Sequence, residues 1–114
     1  FASAGDSMQV LDALKAALVG FREEAKPIGL MCISPVLVPR LLDEGIAVTV
    51  GNDPAVSGAI SAMGGLHRTC GVEDIVVDLE HRVVTTPAYM LATRISEAAT
   101  GIFKLVDRIV EMMD

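Results

Sequence analysis

Cys32 lies between the apolar run Ile28-Gly29-Leu30-Met31 and the pair Ser34-Pro35. A short apolar run bounded by proline reads as a buried strand, and proline soon after the cysteine reads as an early helical residue. A side chain on such a strand-to-helix turn projects from the carboxyl edge of a sheet, where α/β proteins bind their ligands. This is the geometry of a nucleophile elbow, which presents the reactive atom beside the positive end of a helix. Helix amides there favour an anionic sulfur. The backbone N–H of Ile33 becomes the candidate donor to an oxyanion formed at an attacked carbonyl. An elbow wants small residues two positions to either side: Ser34 obeys and Leu30 does not. The competing reading makes Cys32 a small buried hydrophobe.

His67 is the second candidate, because an imidazole can take a proton from a thiol and return it to a leaving group. The competing reading places it at a strand edge facing solvent. His81, next to Glu80 and Arg82, reads as a solvated turn residue. Cys70 precedes Gly71 in a loop and reads as structural, with oxidation as its other possible chemistry.

The elements that must carry these groups follow from periodicity. Val10, Leu11, Leu14, Ala17, Leu18 and Phe21 recur at helical spacing, and Asp6 with Gln9 has capping-box spacing. Val36 to Leu42 continues a short helix after Pro35, Ala47 to Val50 is a second buried strand, and Asp53 caps a helix over Ala55 to Met63. Leu66 to Thr69 reads as a short strand. Asp74 to Asp78 and Arg82 to Thr85 read as a hairpin. Thr86-Pro87 reads as the cap and first residue of a long amphipathic helix from Ala88 onward. Alternating helices and buried strands predict an α/β fold with a mostly parallel sheet and an antiparallel edge.

The 114 residues fit one domain, with 52% hydrophobic and 4% aromatic residues, so aliphatic side chains must fill the core. A formal charge of -6 with no basic cluster argues against nucleic acid as a partner. No apolar stretch reaches the roughly 18 residues that span a bilayer, so no membrane partner is expected. Two cysteines 38 positions apart form neither a redox pair nor a zinc knuckle and fit a reducing compartment. A cytoplasmic or organelle-matrix location is the simplest expectation.

The stretch KPIGLMCISPVLVPRLL, the run VEDIVVDLEHRVVTTPAYMLATRISEAATGIFKLV and the opening FASAG resemble the ElbB-like (enhancing lycopene biosynthesis) family. That family lies in the PfpI-like branch of the class I glutamine amidotransferase-like superfamily, and the likeness runs over nearly the whole chain. It implies a flavodoxin-like three-layer sandwich, with residues 1–114 forming the C-terminal half of a single domain whose N-terminal half is absent. It also implies Cys32 as nucleophile, His67 in the place of the histidine that pairs with it, and Thr85 and Thr86 at the pocket. The implied activity is glyoxalase-like: a small α-oxoaldehyde, glyoxal to glycolate, with no cofactor and a link to isoprenoid biosynthesis. Glutaminases carry His-x-Glu where this chain has His67-Arg68-Thr69, which makes a glutaminase subunit the weakest alternative. A non-catalytic or redox-sensing binding module is the stronger one. The acidic partner of the cysteine and the second oxyanion donor belong to the family's N-terminal half. Without that half a central strand is left uncovered, so the chain is expected to be a homodimer or to associate with the missing half.

Overall fold

The computed structural model describes Gly5, Gln9 and residues 11–113. The helix start expected at Asp6 lies outside the described residues. Helix α1 spans Asp12–Glu23, and Lys26-Pro27 separates it from strand β1, Ile28–Met31. A 3-10 turn over Ser34–Val36 follows Cys32 and runs directly into the short helix α2, Leu37–Leu41. Strand β2 is Ala47–Val48 and helix α3 is Pro54–Ala62. Asp53 caps α3 as expected: its Oδ1 accepts from the N–H of Ala55 at 2.9 Å and of Val56 at 3.1 Å.

Strand β3 is Leu66–His67, β4 is Val76–Asp78 and β5 is Val83–Thr86. Strands β1 and β5 pair in parallel, with Ile28 opposite Val83 and Met31 opposite Thr86, while β4 lies antiparallel on the far side of β5. Strands β2 and β3 form a second parallel pair. The two sheets part where side chains distant in sequence intervene. Backbone N–H groups that would extend a ladder are taken by side chains instead. The Ala47 N–H donates to Asp78 Oδ2 at 2.8 Å and the Thr49 N–H donates to Thr85 Oγ1 at 2.9 Å.

Both faces of β5 are covered, which is why it reads as an apolar run without alternation. Val83 joins a cluster with Val36, Val38, Ile46, Val48, Val50 and Ile60, under α2 and α3. Val84 turns to the other face and packs with Leu105 and Met112 of the last helix, α4, Ile95–Met112. The result is the α/β sandwich expected of the flavodoxin-like class, with helices on both sides of the strands.

Helix α4 runs Ile95–Met112 and does not start at Ala88. A 3-10 turn over Ala88–Met90 comes first, and the Glu97 carboxylate then gathers the N–H groups of Thr93 and Arg94, each at 3.0 Å. That capping interaction fixes the true helix start. Thr86 is not a cap: its hydroxyl donates to the Asp74 carbonyl at 2.7 Å. Gly101 lets α4 come this close, because a Cβ there would sit 2.5 Å from the Val72 carbonyl oxygen and 2.8 Å from Thr86 Oγ1. Helix α1 meets the opposite fate. None of its residues is buried, and Leu11, Leu14 and Phe21 remain exposed.

Candidate functional site

The turn after β1 carries the local signature of an elbow. Cys32 has φ +62°, a left-handed conformation that costs a non-glycine residue on the order of 1–3 kcal/mol. The turn is held from both sides. The Cys32 N–H donates to the Thr86 carbonyl at 3.1 Å. The Ser34 hydroxyl accepts from the Met31 N–H at 3.0 Å and donates to the Met31 carbonyl at 2.7 Å. Ala25, Arg82 and Ala88 also have positive φ, so strain alone does not single Cys32 out. Its place does: it follows the carboxyl end of β1 and stands partly exposed before the Ser34–Val36 turn. Ile33, whose backbone N–H is the candidate oxyanion donor, is the residue at the head of that turn and is exposed.

The carboxyl ends of the parallel strands supply the rest of this edge. Thr49, Thr85 and Thr86 are fully buried there. The Thr49 hydroxyl accepts from the Gly51 N–H at 3.0 Å and stands on the Cys70 side of the loop, where it counters the rise in that thiol's pKa. The Cys70 thiol donates to the Gly71 carbonyl at 3.4 Å. Burial pushes that thiol up from its ordinary range; the Thr49 hydroxyl pulls it down, and the nearby Asp74 charge raises it again, with a net rise.

His67 closes β3, opposite Val48. Its Nε2 accepts from the Val50 N–H at 3.1 Å, which places the proton of the neutral ring on Nδ1. Burial lowers its pKa below 6.5, in keeping with an accepting, uncharged ring. Among the described residues no hydrogen bond joins His67 to Cys32; the two groups come from different sheets along one edge. His81 is a tied turn residue, because its ring Nδ1 lies 2.8 Å from Asp78 Oδ1 and its N–H donates to the same oxygen at 2.9 Å. Sequence reasoning missed Thr49 and the Thr85 bond to β2. The only signal was a threonine late in two of the apolar runs, Thr49 and Thr85. No cluster of three or more His, Cys, Asp or Glu able to hold a metal occurs among the described residues.

No family model matches the chain. It is 35% identical over 121 aligned residues to the rat ES1 protein homolog, mitochondrial, covering 98% of this chain and 45% of that protein. Against the human glutamine amidotransferase-like class 1 domain-containing protein 3, mitochondrial, identity is 36% with the same coverage. The crystal structure of an isoprenoid biosynthesis protein with an amidotransferase-like domain, from Ehrlichia chaffeensis, superposes with a TM-score of 0.86 and 32% identity. It matches 96% of this chain and 51% of its own. These likenesses support the amidotransferase-like superfamily. The chain spans about half the length of the relatives it matches. No helix among the described residues is long and apolar enough to cross a membrane.

Proposed function

We propose that this chain is the C-terminal, nucleophile-bearing half of a cofactor-independent glyoxalase-like enzyme of the ElbB-like family, acting on small α-oxoaldehydes. The observation that carries the reading is the left-handed Cys32 at the carboxyl end of β1, directly before a helical turn. Strain of this kind persists only where surrounding bonds hold it, and a nucleophile elbow is where such strain serves chemistry. The Cys32 sulfur adds to the aldehyde carbon of glyoxal, forming a C–S bond. The carbonyl electron pair moves to oxygen, which takes a proton and completes a hemithioacetal. The Ile33 N–H faces that oxygen as the charge develops. The proton on the former aldehyde carbon then leaves, its electron pair forms an enediol with the adjacent carbon, and that carbon's carbonyl oxygen takes a proton. Return of a proton to the adjacent carbon, with loss of the hemithioacetal hydroxyl proton, gives the thioester of glycolate. Water cleaves the thioester, releases glycolate and restores the thiol, so glyoxal and water become glycolate.

His67 is the candidate proton handler, and the acidic partner and second oxyanion donor come from residues outside this chain. The homodimer, or pairing with the other half of the domain, completes the pocket. The mitochondrial relatives favour an organelle matrix, and the structural neighbour favours a connection to isoprenoid biosynthesis. The test is conversion of glyoxal to glycolate by the full-length protein and by Cys32→Ser. Loss of turnover in the variant is expected, and equal rates would remove Cys32 from the mechanism.

A second reading has its own support. The His67 Nε2 is already engaged by Val50, which favours a binding or redox-sensing module with a reactive sulfur and no turnover. Oxidation of Cys32 by peroxide without any glycolate formation would select it.

A further inference from the structure

At the opposite end of the sheet from Cys32 lies a cavity of about 540 Å³, between the end of α1, the β4–β5 turn and the end of α4. Its walls include Phe21, Pro27, Ile109 and Met113, with the cations Lys26 and Arg82 and the anion Glu24. Strand β1 separates it from Cys32 by about 13 Å, at roughly 3.3 Å per strand residue, so the two sites share no wall. The volume falls in the range of small-molecule sites, and the lining has their character: mostly apolar, with a few polar groups.

Arg82 decides which ligand fits. It leaves the hairpin with φ +58°, its Nη2 donates to the Met112 carbonyl, and its Nε is buried without a partner among the described residues. A buried guanidinium N–H left unpaired is costly, and carboxylates match the guanidinium fork. Glu24 does not meet this need, because it pairs with Lys26 at 3.1 Å. Lys26 in turn lies 5.5 Å from the centre of the Phe21 ring. Among the described residues the lining thus carries two cations against one anion, on a chain whose formal charge is -6.

We propose that this cavity binds an anionic amphiphile, a medium-chain carboxylate whose head pairs with Arg82 and whose tail lies on Phe21, Ile109 and Met113. The site is independent of chemistry at Cys32. Decanoate, titrated below its micelle concentration into the isotope-labelled protein, is expected to give saturable amide shifts centred on Phe21, Arg82, Ile109 and Met113. Decanol is expected to bind at least about tenfold more weakly, and Arg82→Gln to weaken decanoate by a similar factor. Cys32→Ser leaves the affinity unchanged. Absence of saturable shifts, equal affinity for decanol, or shifts centred on the exposed Phe103 and Val110 of α4 would each overturn the proposal. Should Arg82→Gln fail to fold, the decanoate–decanol contrast and the shift map in the unmodified protein still decide.

Discussion

The two cysteines occupy the same edge of the molecule and are held in opposite ways. Cys32 sits on a left-handed turn whose backbone is pinned by Thr86 and Ser34, and among the described residues the bonds go to the turn, not to the sulfur. Cys70 sits in a loop where the sulfur itself donates to the Gly71 carbonyl, and burial raises its pKa. One site fixes where a sulfur is, and the other fixes its protonation state. A nucleophile needs the first arrangement, because a thiol that donates to a carbonyl must give up that bond before it can attack.

The largest way to break this contrast is by substitution of each sulfur in the full-length protein. Cys32→Ser is expected to lower glyoxal turnover by about 10³ or more, while Cys70→Ser keeps it within about twofold, measured as glycolate formed. A comparable loss in both would erase the distinction. Thr49→Val comes next. It removes the hydroxyl that accepts from Gly51 and leaves that N–H unpaired, so denaturant unfolding should show a loss of about 1–3 kcal/mol. The same variant should shift the titration of Cys70 upward and leave the reactivity of Cys32 unchanged.

A smaller effect tests the strain. Glycine accepts positive φ at no steric cost, so Cys32→Gly should be more stable than Cys32→Ala by about 1 kcal/mol in thermal or denaturant unfolding. The sign reverses if the turn is unstrained. The smallest effect is in pH. Burial lowers the folded pKa of His67 below its ordinary 6.5, so the unfolded chain binds the proton more tightly. The stability linked to His67 is therefore fully present above 6.5 and is lost as pH falls through the folded value. A stability profile from pH 8 to 5 should show that decline, and His67→Gln should flatten it. Asp78 adds a similar decline at lower pH. Burial raises its pKa, but bonds from Ala47 and His81 outweigh that and hold it below 3.8. Its contribution is present above 3.8 and lost as pH falls through the folded value.

Much of this was legible in the residues. The strand before Cys32 and the Asp53 cap follow from local chemistry, because each depends on neighbours within a few positions. The features that escaped depend on partners far along the chain. Thr86 has the right type for a helix cap, yet it is claimed by the Asp74 carbonyl, so the helix starts later, at Ile95. The split of the sheets depends on Asp78 and Thr85 reaching over to β2, 31 and 36 positions away. The engagement of His67 by Val50 has the same character, since no spacing rule announces which ring nitrogen a distant amide will take.

The most direct measurement is a brief exposure of the folded protein to iodoacetamide at neutral pH, followed by mass spectrometry of the two cysteine peptides. The account predicts carbamidomethyl-Cys32 well before any modification of Cys70. Equal rates, or Cys70 reacting first, would contradict it.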